Sequence, residues 1–120
     1  MGNPFVHVEL NTTDVAKARG FYEKLFDWRM KDAPSPAGTY TLIEVGQGTG
    51  GGLMQHRVPG VPSAWVAYVQ VEDVRASTQT AKGLGAAIAR EVTEVPGFGW
   101  FSIIVDPTGA PLGLWKPKSS

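Results

Sequence analysis

Phe5 to Leu10 is a strand-like run in which apolar and polar residues alternate from Val6 onward, a pattern that predicts a short strand. The polar cluster Asn11, Thr12, Thr13, Asp14 follows, with side chains able to accept from the free amides of a starting helix, so a helix is expected to begin near Asp14. Val15, Ala18, Tyr22, Leu25 and Phe26 then recur at three- and four-residue steps, which puts them on one apolar face and leaves Lys17, Arg19, Glu23 and Lys24 toward water. Pro34, Pro36 and Gly38 mark a turn, Tyr40 to Val45 reads as a strand, and Gly50, Gly51 and Gly52 lead into Leu53 and Met54.

After a linker-like stretch from Pro59 to Ser63 the grammar restarts. Ala64 to Val71 is strand-like, Asp73 opens a second helix, and Val74, Ser77, Ala81 and Leu84 repeat the helical spacing. Asp14 falls on Asp73, Leu25 on Leu84, Gly50 on Gly109 and Leu53 on Leu112, each 59 positions later. An internal duplication accounts for this order. One strand, one helix and then further strands in each half is an α+β pattern, with too little helix for a doubly wound parallel sheet.

Composition narrows the possibilities. The chain has 120 residues, enough for one core. Eleven basic residues balance eleven acidic ones, which removes any broad attraction toward nucleic acid or an anionic membrane. With no cysteine, disulfides, thiolate metal sites and cysteine nucleophiles are excluded. The start Met1, Gly2, Asn3, Pro4 has no basic segment followed by an apolar run, and no apolar stretch approaches the roughly 20 residues of a membrane span, so a soluble, cytoplasmic protein is expected.

Three strings carry a resemblance: Phe21 to Trp28 (FYEKLFDW), Val69 to Val74 (VQVEDV) and Asp106 to Trp115 (DPTGAPLGLW). In that order they resemble the glyoxalase-related branch of the vicinal oxygen chelate superfamily, the glyoxalase and bleomycin-resistance type. The resemblance implies a single domain over residues 1–120, with two βαβββ modules (about 1–58 and about 64–118) forming a half-open barrel, commonly paired as a homodimer. It does not fix a reaction, since members include lyases, isomerases, epimerases, dioxygenases and proteins that only sequester a drug.

Metal-dependent members hold one divalent ion with His and carboxylate side chains from the first and last strands of each module. Carried onto this chain, those positions are His7, Val66, Met54 and Gly113, of which three offer no hard donor. The expectation is therefore no metal and no cofactor, although Glu9 and His56, each two residues from one of these positions, leave a non-standard site conceivable.

If His7 faces the concave side, strand alternation sends Phe5, Glu9, Asn11, Tyr68 and Gln70 there, and turns Val6, Val8, Leu10, Trp65 and Val69 toward the helices. His7 and Glu9 are then candidate proton-transfer groups. The competing reading of the same pair is a hydrogen-bonded structural histidine and a carboxylate that is either a solvated edge or a partner to a basic group. Trp28 and Trp65 read as packing residues. Tyr40, Met54, His56, Tyr68, Phe98, Trp100 and Trp115 are candidate ligand-binding residues, the last three as a pocket wall or a dimer contact. The glycine string from Gly46 to Gly52 lies between strands, with neither a helix start nor a Lys-Ser or Lys-Thr pair, so it reads as a turn beside the cup and not a phosphate loop.

Two functions compete. The first is metal-independent binding or sequestration of a small organic molecule in a concave cleft. The second is a lyase or isomerase acting on a small carbonyl or hydroxy compound, with His7 or Glu9 as base. A purely structural interaction protein is a third class. The absent metal donors favour the binder, because they remove the usual means of polarising a substrate oxygen.

Overall fold

Both expected helix starts are made by an aspartate carboxylate in the computed structural model, which describes residues 2–35, 38–56 and 59–118. Asp14 Oδ1 accepts from the Lys17 amide at 3.0 Å, and Asp73 Oδ1 accepts from the Ala76 amide at 3.1 Å. Each bond satisfies one of the amides that a first helical turn leaves unpaired. Helix α1 runs Val15–Leu25 and helix α2 runs Val74–Gly83. Gly85, with φ of 102°, takes the left-handed conformation just beyond the end of α2, where a side chain would be strained.

Each helix sits in a strand, helix, three-strand series. The first comprises β1 (Phe5–Thr12), α1, β2 (Arg29–Ser35), β3 (Gly38–Glu44) and β4 (Gly51–Gln55). The second comprises β5 (Ala64–Gln70), α2, β6 (Ala87–Val95), β7 (Gly99–Val105) and β8 (Pro111–Pro117). These are the two βαβββ modules of an α+β fold. The chain divides into two compact units, His7–Val66 and Met1–Val6 with Ala67–Ser120.

In the first unit β2 pairs antiparallel with β3, β3 antiparallel with β4, and β4 parallel with β1. The second repeats the pattern: β6 with β7 and β7 with β8 antiparallel, β8 with β5 parallel. Sequence periodicity missed β2, whose Pro34 reads as a turn. At the end of the strand order Pro34 has a neighbour on one side only, where its missing amide proton breaks no ladder. Pro36, assigned to the same turn, lies outside the described residues.

The first unit's core is Leu10, Ile43 and Leu53, packed on one side by Val15, Ala18 and Tyr22 of α1 and by Trp28. Burying each of the three contributes on the order of 1.5–3 kcal/mol. Leu25 and Phe26, expected on the buried face, are 55% and 45% exposed, so the stripe that meets the sheet ends at Tyr22. Trp28 and Trp65 are packing residues, both with rings against Tyr22. In the second unit, buried Thr78 of α2 bonds buried Ser102 of β7 at 2.8 Å, a polar contact through the helix–sheet layer.

The duplication is real but its step is not constant. Glu9 pairs with Gly52 and Tyr68 with Gly113, so the first strands are offset by 59 residues and the last strands by 61. Strand β6 carries two register shifts, between Ile88 and Arg90 and between Arg90 and Thr93, whereas β2 runs without one. Such irregularities insert residues into one strand without moving its neighbours. Leu53 therefore corresponds to Leu114, not to Leu112 as a constant step implies, and both Leu53 and Leu114 are buried.

Candidate functional site

Strand alternation places His7 and Glu9 on the face of β1 opposite to Leu10. There they meet Tyr40 of β3. The Tyr40 hydroxyl donates to Glu9 Oε1 at 2.9 Å and lies 2.7 Å from His7 Nε2, so one phenol oxygen bridges the two candidate proton-transfer groups. With its proton directed to the carboxylate, that oxygen accepts from an imidazole carrying its proton on Nε2. Glu9 is only 8% exposed, which removes the reading of a solvated edge carboxylate. His7 is partly buried, and loss of water holds its imidazole below the ordinary value, favouring the neutral form.

Gly52 makes this geometry possible. It is buried in β4, and a Cβ there would overlap the Tyr40 phenol. Gly51 is buried in the same strand, where a Cβ would strike the Val8 carbonyl. The glycine string is thus only partly the turn its sequence suggests. Gly46 and Gly48 take positive φ outside the strands, while Gly51 and Gly52 are strand residues that let neighbouring groups approach closely.

A divalent metal does not fit the positions that the resemblance supplies. The observed register pairs Gly52 with Gly113 as counterparts, and Met54 with Trp115, since Asn11 opposes Met54 and Gln70 opposes Trp115. Under either alignment the last-strand positions offer Gly, Met or Trp beside His7 and Val66, so His7 alone offers a donor that such an ion takes, and one ligand does not make a site. Among the described residues no group of three or more His, Asp or Glu side chains converges.

The second unit presents a different surface at the corresponding positions. Tyr68 lies over Gly113, where a Cβ would overlap its ring, and meets Phe101 edge-on with ring centroids 6.2 Å apart. Phe101 opposes Trp115 across β7 and β8, and the Arg90 guanidinium stands 5.7 Å from the Phe101 centroid. With the 59- and 61-residue steps, Glu9 and Tyr40 correspond to Tyr68 and Phe101. A polar hydrogen-bonded pair in one module is an aromatic pair in the other.

The remaining candidates divide. Met54 shares the Gly52 face of β4 and is partly buried. His56 follows β4, its backbone amide donating to the Thr12 carbonyl at 3.0 Å. Phe98 is 58% exposed in the turn between β6 and β7. Trp100 lies on the same face of β7 as Ser102, which bonds α2, and so on the opposite face from Phe101 and Trp115. Phe101 and Arg90 join the candidates only through the strand registers, which a constant 59-residue step does not supply; the aromatic character of Phe101 is the signal that the sequence offers.

Residues 5–114 match the family model of the Glyoxalase/Bleomycin resistance protein/Dioxygenase superfamily, and the chain belongs to that family. It is 33% identical over 115 residues to "Putative glyoxylase CFP32" of Mycobacterium bovis, covering 91% of this chain and 44% of that protein. It is 25% identical over 123 residues to "Anthracycline biosynthesis protein DauV" of Streptomyces sp. (strain C5), covering 90% of this chain and 45% of that protein. The chain spans about half the length of the curated relatives it matches. Among solved structures, methylmalonyl-CoA epimerase from Mycobacterium tuberculosis superposes with a TM-score of 0.72 at 15% identity, over 96% of this chain and 88% of that one, a likeness of fold.

Proposed function

We propose that the chain binds a small organic molecule without a metal ion, its polar end held by the Glu9, Tyr40 and His7 chain and its apolar part by aromatic side chains. The observation that carries this reading is the pair of hydrogen bonds at the Tyr40 hydroxyl, 2.7 Å from His7 Nε2 and 2.9 Å from Glu9 Oε1, over a glycine that clears space for the ring. A fixed, partly buried polar chain orients a ligand, and binding of this kind needs no Lewis acid. The test is a tryptophan-fluorescence screen with small aromatic and aliphatic carbonyl and hydroxy compounds. Saturable quenching that weakens at least several-fold in Tyr40→Phe and His7→Ala is expected. Quenching indifferent to both substitutions overturns the reading.

A second reading, a lyase or isomerase on a small carbonyl or hydroxy compound, draws support from the lowered His7 pKa, because a neutral imidazole can accept a proton. In it His7 takes the proton from the carbon beside the carbonyl, and Tyr40 and Glu9 position the ring. Incorporation of solvent deuterium at that carbon, abolished by His7→Ala with the fold intact, separates enzyme from binder. Neither reading draws on nucleic acid or a membrane, and no helix among the described residues is long and apolar enough to cross one. Cytoplasmic location and pairing with a second copy belong to the same proposal.

A further inference from the structure

The modules also differ in what covers the helix side of each sheet. In the first unit Tyr22 of α1 packs against the cluster of Leu10, Ile43 and Leu53 and sits among other rings, with centroids 6.3 Å from Phe26, 5.7 Å from Trp28 and 5.5 Å from Trp65. In the second unit Ile104 and Leu114 stand in the places of Ile43 and Leu53, so the apolar floor is retained. Its cover is not. Tyr22 corresponds to Ala81, Phe26 to Gly85, and Trp28, which precedes β2, to Ala86, which precedes β6.

Loss of those rings leaves an open crevice of about 300 Å³ lined by Ala76, Ser77, Thr80, Ala81, Leu84, Ile104 and Leu114. We propose that this crevice is a second ligand site, taking a small neutral aromatic molecule of the phenol or indole class whose ring occupies the place of the Tyr22 ring in the other module. Three features favour that class. The volume lies at the lower end of ligand sites, suited to one or two rings. The lining is apolar, with two hydroxyl residues to meet a ring O–H or N–H. None of the lining residues is charged, which disfavours an anionic or cationic ring.

The site shares no residue with the Glu9, Tyr40 and His7 chain, so it stands or falls independently of the proposed function. Protein with labelled Ala, Ile and Leu methyl groups, titrated with indole, tests it. Saturable shifts centred on Ala76, Ala81, Leu84, Ile104 and Leu114 are expected, unchanged in His7→Ala and abolished in Ala81→Tyr, which restores the first module's ring. Should Ala81→Tyr fail to fold, Ala81→Leu fills part of the same space and is expected to weaken indole binding several-fold. Shifts that do not saturate, that centre elsewhere or that survive filling of the crevice overturn the proposal. So does a response of these methyls to protein concentration and not to indole, which identifies a second copy as the cover.

Discussion

Tyr40 crosses β4 directly over Gly52, close enough that any Cβ at position 52 would overlap the phenol. The two residues act together: the glycine fixes where the ring lies, and the ring fixes where its hydroxyl meets Glu9 and His7. The second module repeats the device with different parts, Tyr68 of β5 lying over Gly113 of β8. Duplication has kept a tyrosine over a last-strand glycine while changing which strand donates the tyrosine.

Gly52→Ala should therefore displace Tyr40 and cost about 1–3 kcal/mol, as overpacking a tight site does. Gly20→Ala is the control. Gly20 lies inside α1 with open space where a Cβ would go, so that change should stabilise by about 0.5–1 kcal/mol. Urea unfolding of both variants checks the opposite signs, and a stable Gly52→Ala protein would mean that Tyr40 can move away without loss.

Tyr40→Phe keeps the ring over Gly52 and removes only the hydroxyl. Losing a bond to buried Glu9 should cost about 1.5–3 kcal/mol, the range for a hydrogen bond to a charged group. Denaturant midpoints measure the cost. A change within about 0.5 kcal/mol would show that the bridge contributes little to the fold.

Much of this fold is legible in the sequence because its signals are local. Asp14 and Asp73 announce the helices by hydrogen-bonding chemistry that needs only three neighbouring residues. The alternation in β1 separates His7 and Glu9 from Leu10 without knowledge of any partner strand. What escaped is non-local. The Tyr40 bridge joins residues more than 30 positions apart, and nothing in the run Tyr40 to Val45 announces it. The two residues absorbed in β6 have no signature in composition, yet they move every later counterpart, carrying Tyr40 to Phe101 and Met54 to Trp115. Trp100 reads as a pocket residue for the same reason: only the bond between Thr78 and Ser102 reveals which side of β7 faces α2.

That bond gives a third prediction. Thr78 Oγ1 donates to the Val74 carbonyl at 2.6 Å and lies 2.8 Å from Ser102 Oγ, both residues being at most 2% exposed. Thr78→Val preserves shape and removes the hydroxyl, leaving the buried Ser102 to find a new partner, so a loss of about 1–3 kcal/mol is expected. The double variant Thr78→Val with Ser102→Ala should recover part of it, since both polar groups are then gone. A double-mutant cycle in urea measures the coupling, and strict additivity would show that the two hydroxyls do not depend on each other.

Acidification should act on the site through His7. Burial lowers its pKa, so over the interval between the folded value and the ordinary value near 6.5 the unfolded chain binds a proton there that the folded chain does not. The contribution of neutral His7 to stability is therefore fully present above about pH 6.5 and declines as pH falls toward the folded pKa. An NMR titration of the His7 ring proton should give a midpoint below 6.5, and His7→Gln should flatten the pH dependence of unfolding over that interval. In the native chain, ligand held by the Tyr40 bridge should weaken over the same interval, because an imidazolium no longer meets the partly buried site as a neutral group. A midpoint above 6.5 would mean that the carboxylate of Glu9, reaching His7 through the Tyr40 hydroxyl, outweighs burial, and the pH dependence of stability would then run in the opposite direction.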